Sequence, residues 1–108
     1  MEKVSFEEFK KLDIRVGKVI SAERVKGSKK LVELKIDIGG EVKRAVAGIA
    51  EFYDPDEVVD KLVVVVTNLQ PKKIFGLESE VMILAAFDGR RLAILQPDKE
   101  VPLGTQVT

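Results

Sequence analysis

The chain of 108 residues has no cysteine, no histidine and no tryptophan, and its rings are one tyrosine and five phenylalanines. Without cysteine there is no disulfide framework and no thiol nucleophile. Without histidine the Cys/His zinc sites, the Ser–His triads and imidazole acid–base chemistry are excluded. So few rings suit poorly the stacking platforms that hold extended single strands. No apolar run approaches the ~20 residues that cross a bilayer. The opening Met1-Glu2-Lys3-Val4-Ser5 lacks the apolar core of a signal peptide. A cytoplasmic protein without membrane association is the expectation. Charge of one sign is missing as well: 18 basic residues balance 18 acidic ones, which rules out a uniformly basic coat.

What is present suffices for one core. Hydrophobic residues make up 45% of the chain, and residues 1–108 read as a single domain with no internal linker or repeat. The balanced charge is segregated. Residues 10–44 hold 11 Lys/Arg against 5 Asp/Glu, whereas residues 45–60 hold 5 acids and no base.

Ser5-Phe6-Glu7-Glu8 fits a capping box, and Phe6, Phe9 and Leu12 then share one face of a short N-terminal helix of about ten residues. From Asp13 the hydrophobic period becomes two. Ile14, Val16, Ile20 and Ala22 mark a first strand, in which Gly17 predicts a bend or bulge. A basic loop at 26–30 leads to a second strand, Val32 to Ile38. The hairpin signal Gly39-Gly40 leads to a third, Val42 to Ala47. Asp54-Pro55-Asp56-Glu57 starts a helix over Asp54–Val59. The β-branched run Leu62 to Val66 reads as a strand buried on both sides. A long loop, Asn68 to Glu80, precedes a strand at Val81 to Ala86, a turn at Asp88-Gly89, a strand at Leu92 to Leu95 and a Pro-containing tail. The order β-β-β-α-β-loop-β-β is that of an OB-fold: an all-β, five-stranded Greek-key barrel with short helices, here with an N-terminal helix and a C-terminal extension. An open α+β sandwich is the alternative.

Catalysis finds little support. Asp54, Asp56, Glu57 and Asp60 crowd the second helix, where cap and macrodipole roles account for them. Gly39-Gly40 lacks the spacing of a phosphate cradle. Neither cofactor nor metal is expected. The basic loops are more informative. Lys26, Lys29 and Lys30 lie between strands one and two, Lys43 and Arg44 on strand three, and Lys72 and Lys73 in the long loop. In an OB-fold the first of these loops and the last flank one ligand face. Phosphate contacts from lysines give salt-dependent, sequence-indifferent affinity. Phe75 is the one ring in the long loop, so a folded, largely helical RNA read by shape suits this chain better than an extended strand.

Asp13-Ile14-Arg15-Val16-Gly17-Lys18-Val19 resembles the opening motif of the tRNA-binding domain family, an OB-fold module found at the C-terminus of many methionyl-tRNA synthetases and in free-standing tRNA-binding proteins. The resemblance continues through Lys30-Leu31-Val32-Glu33-Leu34-Lys35-Ile36-Asp37-Ile38-Gly39, Gly48-Ile49-Ala50, Asn68-Leu69-Gln70-Pro71-Lys72-Lys73 and Ser79-Glu80-Val81-Met82. It departs at Val25-Lys26-Gly27-Ser28, where the family often carries His-Pro-x-Ala-Asp, and at Val81, where the family has a small residue. The resemblance implies a non-catalytic module that binds the outer corner of tRNA regardless of anticodon, forms homodimers and raises the affinity of a synthetase's catalytic body for tRNA. Asn68, Ser79 and Met82 are expected at the centre of the RNA face, where Asn68 either fixes the long loop or reaches the ligand, and Met82 either lies against a base or belongs to the core. Phe6, Phe9 and Leu12 with Val101 and Leu103 supply the expected dimer surface. The rival reading on the same barrel is a protein-docking module or peptide-binding chaperone.

Overall fold

The computed structural model describes residues 1–108. Strands β1 (Ile14–Arg24), β2 (Val32–Asp37), β3 (Val42–Ala47), β4 (Leu62–Val66) and β7 (Met82–Ile83) form one antiparallel sheet in the order β3-β2-β1-β4-β7. The sheet curls until its ends meet. The Glu80 and Val81 amides both donate to the Arg44 carbonyl, and the Val46 amide donates to Ser79 Oγ at 3.0 Å. The result is a nearly closed five-stranded OB-type barrel, as the period-two pattern predicts.

Inside it, Leu34, Ile36, Val19, Val32, Val58, Val63 and Val65 are almost wholly buried. These are the inward positions of alternating strands, with Val58 contributed by helix α2 (Pro55–Val58) as a plug. Asp54 caps α2, and its amide donates to Glu57 Oε1 at 2.9 Å.

Strand β1 is long enough to serve two neighbours. Its first half pairs with β4 and its second half with β2, so the strand must bend. The irregularity falls between Val19 and Ser21, not at Gly17. Gly17 serves close packing instead: a Cβ there would sit 2.7 Å from Ile36 Cγ2. Beyond the end of β2, the edge of β1 is taken by the tail. The Val16 amide donates to the Thr105 carbonyl, and the Val107 amide to the Ile14 carbonyl. Arg15 fastens this seam, reaching Asp13 Oδ2 at 2.8 Å and the Gly104 carbonyl at 3.0 Å. The Arg15 hydrogen bond, seconded by Thr67, holds the Asp13 carboxyl below the ordinary carboxylate range. The Asp-Ile-Arg-Val-Gly motif is thus a fastening for the C-terminal segment.

Three further expectations are corrected. The N-terminal helix α1 spans Phe6–Phe9 alone. Its capping box is present, but the Asn68 carboxamide binds the Lys11 carbonyl and the Asp13 amide, which ends the helix and turns the chain into β1. The long loop contains a hairpin of β5 (Lys72–Ile74) and β6 (Leu77–Ser79). The strand expected over Val81 to Ala86 breaks at Leu84, and β8 (Ala85–Phe87) leaves the barrel to pair with β9 (Leu92–Ile94). That outer hairpin is held by Tyr53, whose hydroxyl accepts from the Ile94 amide, and by an edge-on contact of Phe52 with Phe87.

Candidate nucleic-acid interface

One face of the barrel, between β3 and the β5–β7 region, opens into a cavity of about 540 Å³. Twelve of its 17 lining residues are hydrophobic, among them Ala45, Ile49, Ile74, Met82 and Leu84. Polar groups sit at its edge: Gln70, Lys72, Ser79 and Glu80. Alternation within β5 sends Lys72 and Ile74 toward this cavity and leaves Lys73 on the other face of the hairpin.

The first basic loop reaches the same rim. The Ala50 amide donates to the Lys30 carbonyl at 2.9 Å, one residue beyond Ile49 of the cavity wall. Ser28 Oγ accepts from the Lys30 and Leu31 amides and shapes the loop, so that Lys29 and Lys30 point outward, exposed. At the far end of the loop, the Phe75 ring lies 3.9 Å from where a Cβ on Gly27 would be. Two lysine clusters distant in sequence therefore meet at one opening. Lys26, Lys29, Lys30, Lys72 and Lys73 are all exposed, and none is in an ion pair. Unpaired, exposed ammonium groups around an opening suit a polyanion.

The other site residues expected from the sequence take varied places. Lys43 does not join the lysine rim. It lies in a separate charged hollow with Lys35, Arg44, Glu78 and Glu80, its Nζ 2.8 Å from Glu41 Oε1 and 3.7 Å from Glu80 Oε2. The Glu41 hydrogen bond is the main reason its pKa is raised. Asn68 spends its carboxamide on backbone groups of Lys11 and Asp13. Ser79 uses its hydroxyl to close the barrel. Met82 is 46% exposed on the cavity wall, free to touch a ligand. Val81 turns its extra carbon branches into the core cluster, which absorbs the departure from the family's small residue.

Ser79→Ala is expected to leave the half-buried Val46 amide without a partner and to lower stability by about 1–2 kcal/mol. Chemical denaturation measures this directly, and an unchanged midpoint would remove Ser79 from the closure. The hairpin of β5 and β6 was legible in principle: Ile74 and Leu77 flank a Phe-Gly pair at two-residue hairpin spacing.

Comparison with known proteins agrees with this fold. The pattern of the tRNA binding domain family matches residues 14–106. The methionine–tRNA ligase of Pyrococcus furiosus is 49% identical over 107 residues, covering 99% of this chain and 15% of that protein. The chain therefore spans about 15% of the length of such relatives. A methionyl-tRNA-synthetase-related protein of Pyrococcus horikoshii, solved by crystallography, superposes with a TM-score of 0.94 at 38% identity, with 100% of both chains covered. The crystal structure of the chaperone CsaA from Bacillus anthracis superposes with a TM-score of 0.92 at 34% identity, covering 99% of this chain and 100% of that one. An OB-type barrel with these motifs, matched across nearly its whole length, belongs to the tRNA-binding domain family and is related to a segment of the methionine–tRNA ligases.

Proposed function

We propose that this domain binds folded tRNA at the outer corner of its L-shape, without sequence selection and without catalysis of its own. The observation that carries the reading is the approach of the unpaired lysines of the 26–30 loop to the hairpin that carries Lys72 at the cavity and Lys73 on its other face. Lys29, Lys30, Lys72 and Lys73 contact phosphates. Met82 lies against the RNA within that rim, Asn68 and Ser79 hold the backbone around it, and Lys43 sits outside it in its own charged hollow. Likeness to a segment of methionine–tRNA ligases supports a role as an appended module of such a synthetase in the cytoplasm. A second attached site raises tRNA capture through effective concentration by roughly 10²–10⁴-fold where the geometry permits.

Homodimerisation belongs to the same proposal. Phe6 is 70% exposed, and Phe9 and Leu12 lie open beside it. Val101 and Leu103, by contrast, are partly covered by their own chain, so the dimer surface rests on the N-terminal segment and on the outer hairpin with Phe87 and Leu95. The second reading, a peptide-binding module, draws on the apolar lining of the cavity and on the likeness to CsaA.

Titration with bulk tRNA and with double-stranded DNA across a salt series separates the two readings. Four phosphate contacts give a slope of log affinity against log salt of about −3 to −4 with tRNA. A salt-independent response, or equal affinity for DNA, would overturn the tRNA reading. Sedimentation at micromolar concentration is expected to show a mass of twice the 12.0 kDa chain, and the monomer mass would overturn the dimer.

A further inference from the structure

Phe75 and Gly76 form the two-residue tip of the hairpin between Ile74 and Leu77, with φ of +51° and +78°. Both tip residues in the left-handed region make the turn a place for Asn-Gly or Gly-Gly. A bulky side chain there carries a penalty of roughly 1–2 kcal/mol. The ring does not compensate by burial, because Phe75 is 62% exposed. It has no aromatic partner and no cation over its face. The ring edge approaches the loop at Gly27, where an added Cβ would lie 3.9 Å from it; Gly27 is itself in the left-handed region at φ +86°. In sequence the ring follows Lys72 and Lys73 of its own hairpin, and the loop it approaches carries Lys26, Lys29 and Lys30. A strained, exposed, unpartnered ring among phosphate-seeking charges has no task in the fold, and strain of this kind gathers at ligand-binding positions.

We infer that Phe75 is a stacking platform for one unpaired nucleobase of the bound RNA. The inference rests on the tRNA reading and refines it: lysines hold the phosphates of helical parts, and the ring takes a base splayed from a loop. RNA-binding surfaces read loops in this manner, since an unstacked base offers a π face that duplex hides. One platform supplies a preference for RNA with accessible loop bases over plain duplex without a base-edge code.

The chain has no tryptophan, so Phe75→Trp places a single reporter at the site. Its emission is expected to be quenched by bulk tRNA, and not by blunt-ended duplex RNA at concentrations that saturate binding. Phe75→Ala is expected to weaken tRNA binding about tenfold with the salt slope unchanged, whereas Phe75→Tyr stays within about twofold of the parent. Phe75→Gly relieves the strained tip, so its unfolding midpoint is expected at or above that of the parent while tRNA binding falls as for Phe75→Ala. Equal quenching by duplex and tRNA, parental affinity in Phe75→Ala, or a lowered midpoint in Phe75→Gly would overturn the stacking role. If the parent binds tRNA with a steep salt slope while Phe75→Ala is silent, only this inference falls. If the parent fails to bind tRNA, both fall, and loss of apolar-peptide binding in Phe75→Ala would assign the ring to the peptide-binding reading.

Discussion

Replacing Lys29, Lys30 and Lys72 together with alanine is expected to lower tRNA affinity by roughly 100–1000-fold at 0.1 M salt. The figure follows from counterion release. Each lost phosphate contact removes about 0.9 from the slope of log affinity against log salt, and one decade of salt separates 0.1 M from the 1 M reference. The slope itself is expected to fall from about −4 to about −1. All three side chains are exposed and outside any ion pair, so folding is expected to change by less than about 0.5 kcal/mol. Lys43→Ala is the internal comparison. Its charge already faces Glu41 and Glu80, so a phosphate gains little from it, and the slope is expected to change by much less than one unit. A filter-binding series from 50 to 500 mM salt measures both variants. Equal effects of the triple and the single variant would mean that the lysine rim is not the RNA contact.

The second large effect concerns stability. Gly39→Ala is expected to destabilise the domain by about 2–4 kcal/mol, from a left-handed φ together with overpacking against backbone. Gly39 has φ +92°, and a Cβ there would meet the Leu103 carbonyl oxygen at 2.6 Å. Opposite it, a Cβ on Gly104 would meet the Ile38 carbonyl oxygen at 2.8 Å, so the two glycines let the tail cross the β2–β3 turn backbone to backbone. Gly40→Ala makes the contrast clean. Gly40 has φ +88° but open space where its Cβ would be, so only the conformational penalty of roughly 1–2 kcal/mol remains. Denaturant unfolding of the two variants gives the difference. Faster amide exchange at Gly104 and Val107 in Gly39→Ala would show that the tail lifts first, since these amides donate to Val16 and Ile14 of β1. Equal destabilisation by the two variants would deny the close crossing.

The barrel is written in local patterns. Period-two runs at Ile14, Val32 and Val42, the Gly39-Gly40 turn, the Pro55 helix start and the β-branched Leu62–Val66 run are local signals, and each reads correctly without knowledge of its neighbours. Alternation also assigned the core, because a strand with one buried face must place Val32, Leu34 and Ile36 on the same side. The two lysine-rich loops were legible as well, and their approach followed from the fold order.

What individual polar groups do follows from long-range closure of the fold. From sequence Asn68 reads equally as a clasp for its loop or a ligand contact, and Ser79 and Lys43 read as ligand contacts; in the fold the first two satisfy backbone partners and the third faces two carboxylates. Nothing local distinguishes the two uses, since a hydroxyl or amide bonds whichever partner the fold brings within 3 Å, and those partners lie 33 to 57 residues away. The same holds for the tail and for Phe75. Whether an apolar side chain ends in a core or in the open depends on long-range closure, and hydrophobicity, being non-directional, carries no record of which surface will cover it.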